Sequence, residues 1–164
     1  MHLSLHVSGD ADPATAWERY ADLDAWPQWS PQIQRVDTGP VRDVGGSDDA
    51  DDDTDGEQEA LDEGEPAPPT PGTDPAPRRI TPGLRGVVIG PVGVQVPFEV
   101  LEVDEVAMTW TWRVRAVLAE LTLEHSVTPA GGGCRTDLTI IGPVPLVVGY
   151  APVARFALTR LVRP

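Results

Sequence analysis

Three polar side chains fall at positions where the sequence predicts an apolar interior, namely His125, Thr136 and Tyr150, and Arg160 lies at the flank of a predicted helix beside them. An imidazole is a suitable general base near neutral pH, and a phenol can act as an acid or donate a hydrogen bond to a ligand carbonyl. His125 and Tyr150 are therefore the candidate catalytic residues. The alternative, which the sequence favours, is a structural histidine whose ring is satisfied by the backbone or by a neighbouring hydroxyl group.

Other chemical sites find little support in the sequence. His2 and His6 share the outer face of a predicted strand, but four residues along a strand span about 13 Å, too far for both to bind one metal ion. The sequence has no Gly-x-Ser-x-Gly elbow and no phosphate-binding glycine loop. We therefore expect no metal site and no cofactor.

The elements that must position these side chains are mostly strands. Leu3, Leu5 and Val7 alternate with polar residues, which is the period of a strand with one buried face. Further runs of this kind, separated by turn residues, predict strands over 84–90, 94–103, 107–115, 117–128 and 134–141. Alternation places His125 on the inward face of the run over 117–128, and a change of parity predicts a bulge near Val100.

Helices are predicted near both ends of the chain. Asp12 followed by Pro13 is typical of a helix start, and this helix is expected to continue to about Tyr20. Asp24 is predicted to cap a second short helix, before an extended run over 32–41. The stretch 145–163 has helical spacing, with a late start or a kink expected between Gly149 and Pro152. Its predicted buried stripe contains Leu146, Tyr150, Val153, Ala154, Ala157 and Leu161.

This order of elements predicts an α+β, helix-grip fold. It is a curved antiparallel sheet of about seven strands wrapped around a long C-terminal helix, with two short helices after strand 1. The segments 16–20 and 26–33, together with Pro97-Phe98-Glu99-Val100, Trp110-Thr111-Trp112 and 123–127, resemble the START/Bet v 1-like (SRPBCC) superfamily, especially its polyketide cyclase/dehydrase-like branch. The resemblance covers nearly all of the chain outside residues 43–79.

The resemblance implies a cavity between the sheet and the C-terminal helix that holds lipids, polyketides or other apolar molecules. The expected ligand-binding residues are Phe98, Trp110, Trp112, Ala119, Leu121, Leu123, His125, Tyr150, Val153 and Ala157. The favoured function is the binding or transport of a small apolar molecule. The alternatives are a cyclase- or dehydratase-like enzyme and a protein-interaction module, so the sequence leaves catalysis uncertain and favours a non-catalytic role.

An acidic, proline-rich segment over 43–79 interrupts this single domain, which otherwise spans residues 1–164. Residues 43–77 hold 13 of the 26 acidic residues, so the rest of the chain carries 13 acidic against 12 basic residues. Such a segment lacks the apolar side chains that folding requires, and we expect a disordered insert between strands 2 and 3. It is a possible docking segment for a basic protein partner.

Charge and cysteine content limit the partners and the location further. The nearly neutral remainder carries no basic surface for nucleic acid. The uncharged run 138–154 is too short and too rich in proline and glycine to predict a membrane span. Cys134 is the only cysteine, and the N-terminus lacks the pattern of a signal peptide. We therefore expect a cytoplasmic protein.

Overall fold

The computed structural model describes residues 1–39, 78–116 and 119–164. The predicted insert lies outside the described residues apart from Arg78 and Arg79, and so does Val117 at the start of a predicted strand. Within the described residues, every strand that the sequence predicts is present.

Seven strands form one antiparallel sheet in the order β1-β7-β6-β5-β4-β3-β2. Their alternating side chains bury one face of the sheet and leave the other face polar. The strands are β1 (His2–Gly9), β2 (Arg35–Asp37), β3 (Arg85–Ile89), β4 (Gln95–Asp104), β5 (Thr109–Ala116), β6 (Ala119–Ala130) and β7 (Gly133–Ile141). Together with the terminal helix, this sheet confirms the predicted α+β architecture.

The register of the sheet shifts once, between Val100 and Glu102 on β4, where that strand pairs with β5. This irregularity confirms the bulge predicted near Val100. At the other side of the sheet, β6 and β7 are joined by a tight turn in which Gly131 and Gly132 both have positive φ angles, of 56° and 90°. Glycine adopts this backbone conformation without steric cost, so these two glycines suit the tight turn.

The first helix and the turn after it follow from two aspartate caps. The Oδ1 atom of Asp12 accepts a hydrogen bond from the backbone N–H of Ala14, and α1 (Pro13–Ala21) begins at the next residue. The sequence assigned the next cap to Asp24, but the cap is Asp22, whose carboxylate accepts from the Asp24 N–H at the start of a 3₁₀ turn over Leu23–Ala25. The carboxylate of Asp24 pairs instead with Arg78. The second short helix, α2 (Trp26–Trp29), follows directly.

The C-terminal helix, α3 (Val144–Leu161), begins before Gly149 and continues through Pro152, so the predicted late start is wrong. Its buried face contains Val147, Ala154, Ala157, Leu158 and Leu161. Val153, predicted on that face, is 40% exposed. By length and composition alone α3 is a candidate membrane span, a test that the core helices of soluble proteins also pass. Here its inner face packs on β1 and β7.

The two described residues of the predicted insert are held by the main fold. Arg79 forms an isolated antiparallel bridge with Asp22, and the Arg78 carbonyl accepts a hydrogen bond of 2.8 Å from the Leu23 N–H. The Arg78 guanidinium also donates to the Val36 carbonyl at 3.0 Å. The chain therefore returns at residue 78 close to β2.

Candidate functional site

A cavity of about 410 Å³ lies between the inner face of the sheet, α3 and the loop that follows α2. It is lined by Gln32, Ile33, Val88, Gly90, Pro91, Val94, Val96, Trp112, Val114, Leu121, Leu123 and Tyr150. The volume falls within the range of small-molecule sites, about 300–1,000 Å³. Among these described residues none carries a formal charge, so the cavity suits an uncharged, mostly apolar molecule.

A second, much smaller cavity of about 20 Å³ adjoins the first. The two share four lining residues, which are Gln32, Ile33, Trp112 and Tyr150. The small cavity is also lined by Trp26, Trp29, Ser30, Trp110, His125, Leu138, Ala154, Ala157 and Leu158. Its size suits one water molecule or one polar group of a ligand, since a cavity of about 10–15 Å³ is large enough for one water molecule.

Strand alternation brings the sheet residues to these cavities. Trp110 and Trp112 are two residues apart on β5 and therefore face the same side. On the neighbouring strand β6, His125 lies opposite Trp110, and Leu123 lies opposite Trp112. The inward positions of β5 and β6 thus form one continuous patch of large side chains.

His125 is held in a chain of hydrogen bonds that uses both of its ring nitrogens. The Trp112 indole N–H donates to His125 Nε2 at 3.1 Å, so Nε2 carries no proton and Nδ1 does. The Nδ1 atom lies 3.2 Å from the Tyr20 hydroxyl, to which it donates. The Tyr20 hydroxyl then donates to Thr136 Oγ1 at 2.7 Å. His125 is consequently a neutral structural residue with no nitrogen left to take a proton from a substrate.

Burial fixes the protonation states in this chain of hydrogen bonds. Burial lowers the pKa of His125 from 6.5 to about 3, because the charged imidazolium loses its hydration there. Desolvation also raises the pKa of Tyr20 far above its ordinary value, which is only partly offset by the hydrogen bond to Thr136. Both side chains stay uncharged at neutral pH.

Stacked aromatic rings fill the interior next to the small cavity. The His125 ring stacks on Trp110 with centroids 4.7 Å apart and planes at 12°, and Trp110 stacks on Trp112 at 5.3 Å. Trp26 contacts Trp110 and Trp112 at centroid distances of 5.6 and 5.2 Å. This packing immobilises one wall of the small cavity, including Trp112, which also lines the large cavity.

The residues that the sequence proposed for ligand binding separate into three groups. Trp112, Leu121, Leu123 and Tyr150 line the large cavity. Trp110, His125 and Ala157 line the small cavity only. Phe98, Ala119 and Val153 line neither cavity. Phe98 is buried against Trp26 and Trp112, Ala119 is half-buried at the start of β6, and Val153 lies at the edge of the helix face that packs on the sheet.

His125 and Tyr150 both line the small cavity, but the two ring nitrogens of His125 are already paired with Trp112 and Tyr20, so the two candidates do not form an acid–base pair. Thr136 is paired with Tyr20, and Arg160 donates to the Gln28 carbonyl at 2.8 Å without lining either cavity. Desolvation raises the pKa of Tyr150, and the nearby Gln32 side chain offsets this only in part. Gln32 Oε1 nevertheless has no partner in hydrogen-bonding geometry.

Within the described residues no cluster of three or more histidine, cysteine or acidic side chains is positioned to bind a metal ion.

Several lining residues were absent from the sequence prediction. Gln32 and Ile33 lie in the loop between α2 and β2, where no periodicity indicates direction. Pro91 and Val94 belong to the turn between β3 and β4. Val114 shares the parity of Trp110 and Trp112 on β5, so strand alternation was a signal that could have identified it.

Comparisons with known proteins bear on the family and the fold. A family profile described as "Polyketide cyclase / dehydrase and lipid transport" matches residues 2–164. No curated protein sequence matches the chain.

Several solved structures share the fold at low sequence identity. The crystal structure of Ara h 8.0201 has a TM-score of 0.60 and 11% identity, covering 98% of this chain and 94% of that one. DynU16, a protein in the dynemicin biosynthetic locus, has a TM-score of 0.63 and 14% identity, covering 98% of this chain and 45% of that one. A START superfamily protein from Mycobacterium smegmatis has a TM-score of 0.55 and 16% identity, covering 98% and 96%.

Proposed function

Because the chain belongs to the polyketide cyclase / dehydrase and lipid transport family, within the START/Bet v 1-like superfamily, we propose that it binds or carries a small apolar molecule. The observation that carries the proposal is the cavity of about 410 Å³, whose described lining is uncharged and almost entirely apolar. Transfer of an apolar molecule from water into such a site is favourable, at roughly 25 cal/mol per Å² of buried apolar surface.

The turn between β3 and β4 supports access to this cavity from solvent. Gly90, Pro91 and Val94 line the cavity, and the Val94 side chain is 53% exposed. The wall of the cavity therefore continues to the surface at this turn. A ligand that enters here reaches the inner patch on β5 and β6 without displacing a strand.

A cyclase- or dehydratase-like activity receives less support. Such chemistry needs a base and an acid that reach the same substrate. Both nitrogens of His125 are already paired, and this ring lines only the small cavity.

The cytoplasmic location remains part of the proposal, since the one cysteine is buried as a free thiol.

The proposal is tested by filling the cavity. Val96 lies on β4 with its half-buried side chain in the cavity wall, so Val96→Trp should occupy much of the space. We expect affinity for the neutral fluorescent probe N-phenyl-1-naphthylamine to fall at least tenfold, measured by fluorescence titration. Gln95→Trp is the matched control, because the adjacent side chain is exposed and does not line the cavity.

Two results would contradict the proposal. One is the absence of saturable probe binding to the unmodified protein. The other is equal probe affinity in the Val96→Trp and Gln95→Trp variants, provided that both unfold cooperatively.

A further inference from the structure

Three buried polar atoms have no hydrogen-bond partner within the described residues. They are Ser30 Oγ, Gln32 Oε1 and Trp110 Nε1, and all three residues line the small cavity. Ser30 is 1% exposed and Trp110 is 2% exposed, so solvent does not satisfy them. Buried polar groups in folded proteins are almost always paired, and an unpaired group is costly to bury. Three of them at one cavity of about 20 Å³ point to a partner that occupies it.

The three other tryptophans at this cavity differ from Trp110, because each of their indole N–H groups has a hydrogen-bond partner. The Trp26 N–H donates to the Tyr20 carbonyl at 2.8 Å, and the Trp29 N–H donates to the Arg19 carbonyl at 2.8 Å. Trp112 donates to His125. Trp110 alone among these four tryptophans keeps a free donor at the cavity, although its ring is fixed by stacking on His125.

The loop that carries the other two atoms is also held in place. The Ser30 N–H donates to the Trp26 carbonyl at 2.9 Å, and the Ser30 carbonyl accepts from the Ile33 N–H at 2.9 Å. Ser30 and Gln32 are therefore held just after α2, and they line the small cavity together with Trp110 and Trp112 of β5. The site is built before any ligand arrives, which lowers the entropic cost of binding.

The hydrogen-bonding capacity of the three atoms indicates which chemical group can occupy the small cavity. An indole N–H only donates, an amide oxygen only accepts, and a serine hydroxyl does both. A hydroxyl group satisfies all three, because its oxygen accepts from the Trp110 N–H and from the Ser30 hydroxyl while its own proton is donated to Gln32 Oε1. A carboxylate does not fit, since no described residue lining either cavity is a cation and an unpaired buried anion is strongly disfavoured. An ether or ester oxygen accepts from Trp110 but leaves Gln32 Oε1 unpaired.

We propose that Ser30, Gln32 and Trp110 recognise the hydroxyl group of an otherwise apolar, uncharged alcohol, whose apolar body occupies the adjoining large cavity. The four residues common to both cavities form the passage between them. This inference rests on the proposed function and adds the chemical class of the ligand.

The test compares three probes of similar length, which are 1-decanol, 1-methoxynonane and decanoate. Each competes with N-phenyl-1-naphthylamine in a fluorescence displacement titration. We expect 1-decanol to bind at least tenfold more tightly than either competitor. In Trp110→Phe and in Gln32→Leu, that preference should fall to twofold or less, while the affinity for 1-methoxynonane stays within about twofold of the unmodified protein.

Trp17→Phe is the matched control, because it makes the same substitution at a buried tryptophan that lines neither cavity. It should keep the preference for 1-decanol. Gln32→Leu keeps the experiment decisive if Trp110→Phe fails to fold, since Gln32 lies in a loop. Cooperative thermal unfolding establishes that each variant is folded.

The outcomes separate the two proposals. Equal displacement by 1-decanol and 1-methoxynonane would overturn hydroxyl recognition and leave apolar binding intact, with water as the occupant of the small cavity. Tighter binding of decanoate would likewise overturn it. If N-phenyl-1-naphthylamine itself does not bind, the proposed function fails, and this inference fails with it.

Discussion

His125 illustrates how a polar residue in an apolar cavity can be structural. Its two nitrogens are paired with Trp112 and Tyr20, and its ring face is covered by Trp110. The histidine that strand alternation sends inward therefore helps to organise the wall of the small cavity. Its protonation would break the hydrogen bond from Trp112, because a protonated Nε2 no longer accepts.

This protonation equilibrium predicts how stability depends on pH. Burial lowers the pKa of folded His125 to about 3, whereas the unfolded side chain titrates near 6.5. Below pH 6.5 the unfolded chain binds a proton that the folded chain excludes, so acidification favours unfolding. We expect this residue alone to lower the free energy of unfolding by about 2 kcal/mol between pH 7.5 and pH 5, and to contribute no pH dependence above about 7.

Urea unfolding at the two pH values measures the effect as a difference between proteins. His125→Phe, although less stable at pH 7.5, should lose about 2 kcal/mol less on acidification than the unmodified protein. His6→Gln replaces an exposed histidine on β1 and should keep the unmodified pH dependence. Equal pH dependence in the unmodified protein and in His125→Phe would show that His125 is not held neutral by burial.

At the scale of elements, α3 contains an internal proline that the helix tolerates. Pro152 has no N–H, so the Val148 carbonyl one turn earlier lacks its usual helical partner. Pro152 and Val148 are both exposed, which lets water satisfy this carbonyl. The helix therefore continues, at a local cost in stability.

Replacing this proline should stabilise the protein. Pro152→Ala restores the backbone hydrogen bond and removes no buried contact, so we expect a gain of about 2 kcal/mol after allowance for the more flexible unfolded chain. Pro145→Ala is the control, because residues in the first turn have no helical partner for their N–H. Its stability should change by less than about 0.5 kcal/mol in the same urea titration. A Pro152→Ala variant no more stable than the unmodified protein would contradict this account of α3.

The elements also show what periodicity can predict. Strand alternation is unambiguous, and it placed Trp112, Leu121 and Leu123 on the face that lines the large cavity. Helical periodicity in α3 is weaker, because apolar residues occur on nearly every side of its first three turns. The predicted stripe was therefore displaced around the helix, so that Val153 was assigned inward in place of Val147.

The loops of the site were beyond prediction for a different reason. Gln32 and Val94 lie where no repeating pattern relates a position to a direction, and only the packing of α2 and the β3–β4 turn brings them to the cavity. The sequence also could not predict that the Trp110 N–H is unpaired, since this depends on which acceptors the neighbouring tryptophans already use.

At the scale of the whole molecule, many of the acidic residues lie in a different part of the chain from the residues that line the cavities. Half of the acidic residues, 13 of 26, fall within residues 43–77, while both cavities have an uncharged described lining. The chain leaves the described fold after Gly39 and returns at Arg78, whose guanidinium contacts the Val36 carbonyl and the Asp24 carboxylate. The two ends of this segment thus lie near each other, and a short connection is able to join them.

Replacing residues 45–77 with a glycine-containing turn of about five residues should therefore leave the fold and the cavity intact. If the segment is the disordered insert that its composition predicts, shortening it removes about 1.7 kcal/mol of loop-closure entropy, so stability should be unchanged or raised by up to that amount. Urea unfolding and titration with N-phenyl-1-naphthylamine measure the two consequences. A variant of unchanged length, with its acidic residues replaced by serine, separates chain length from charge and should keep the unmodified stability if length alone matters. Loss of cooperative unfolding, or of probe binding, in the shortened variant would show instead that the segment is part of the fold.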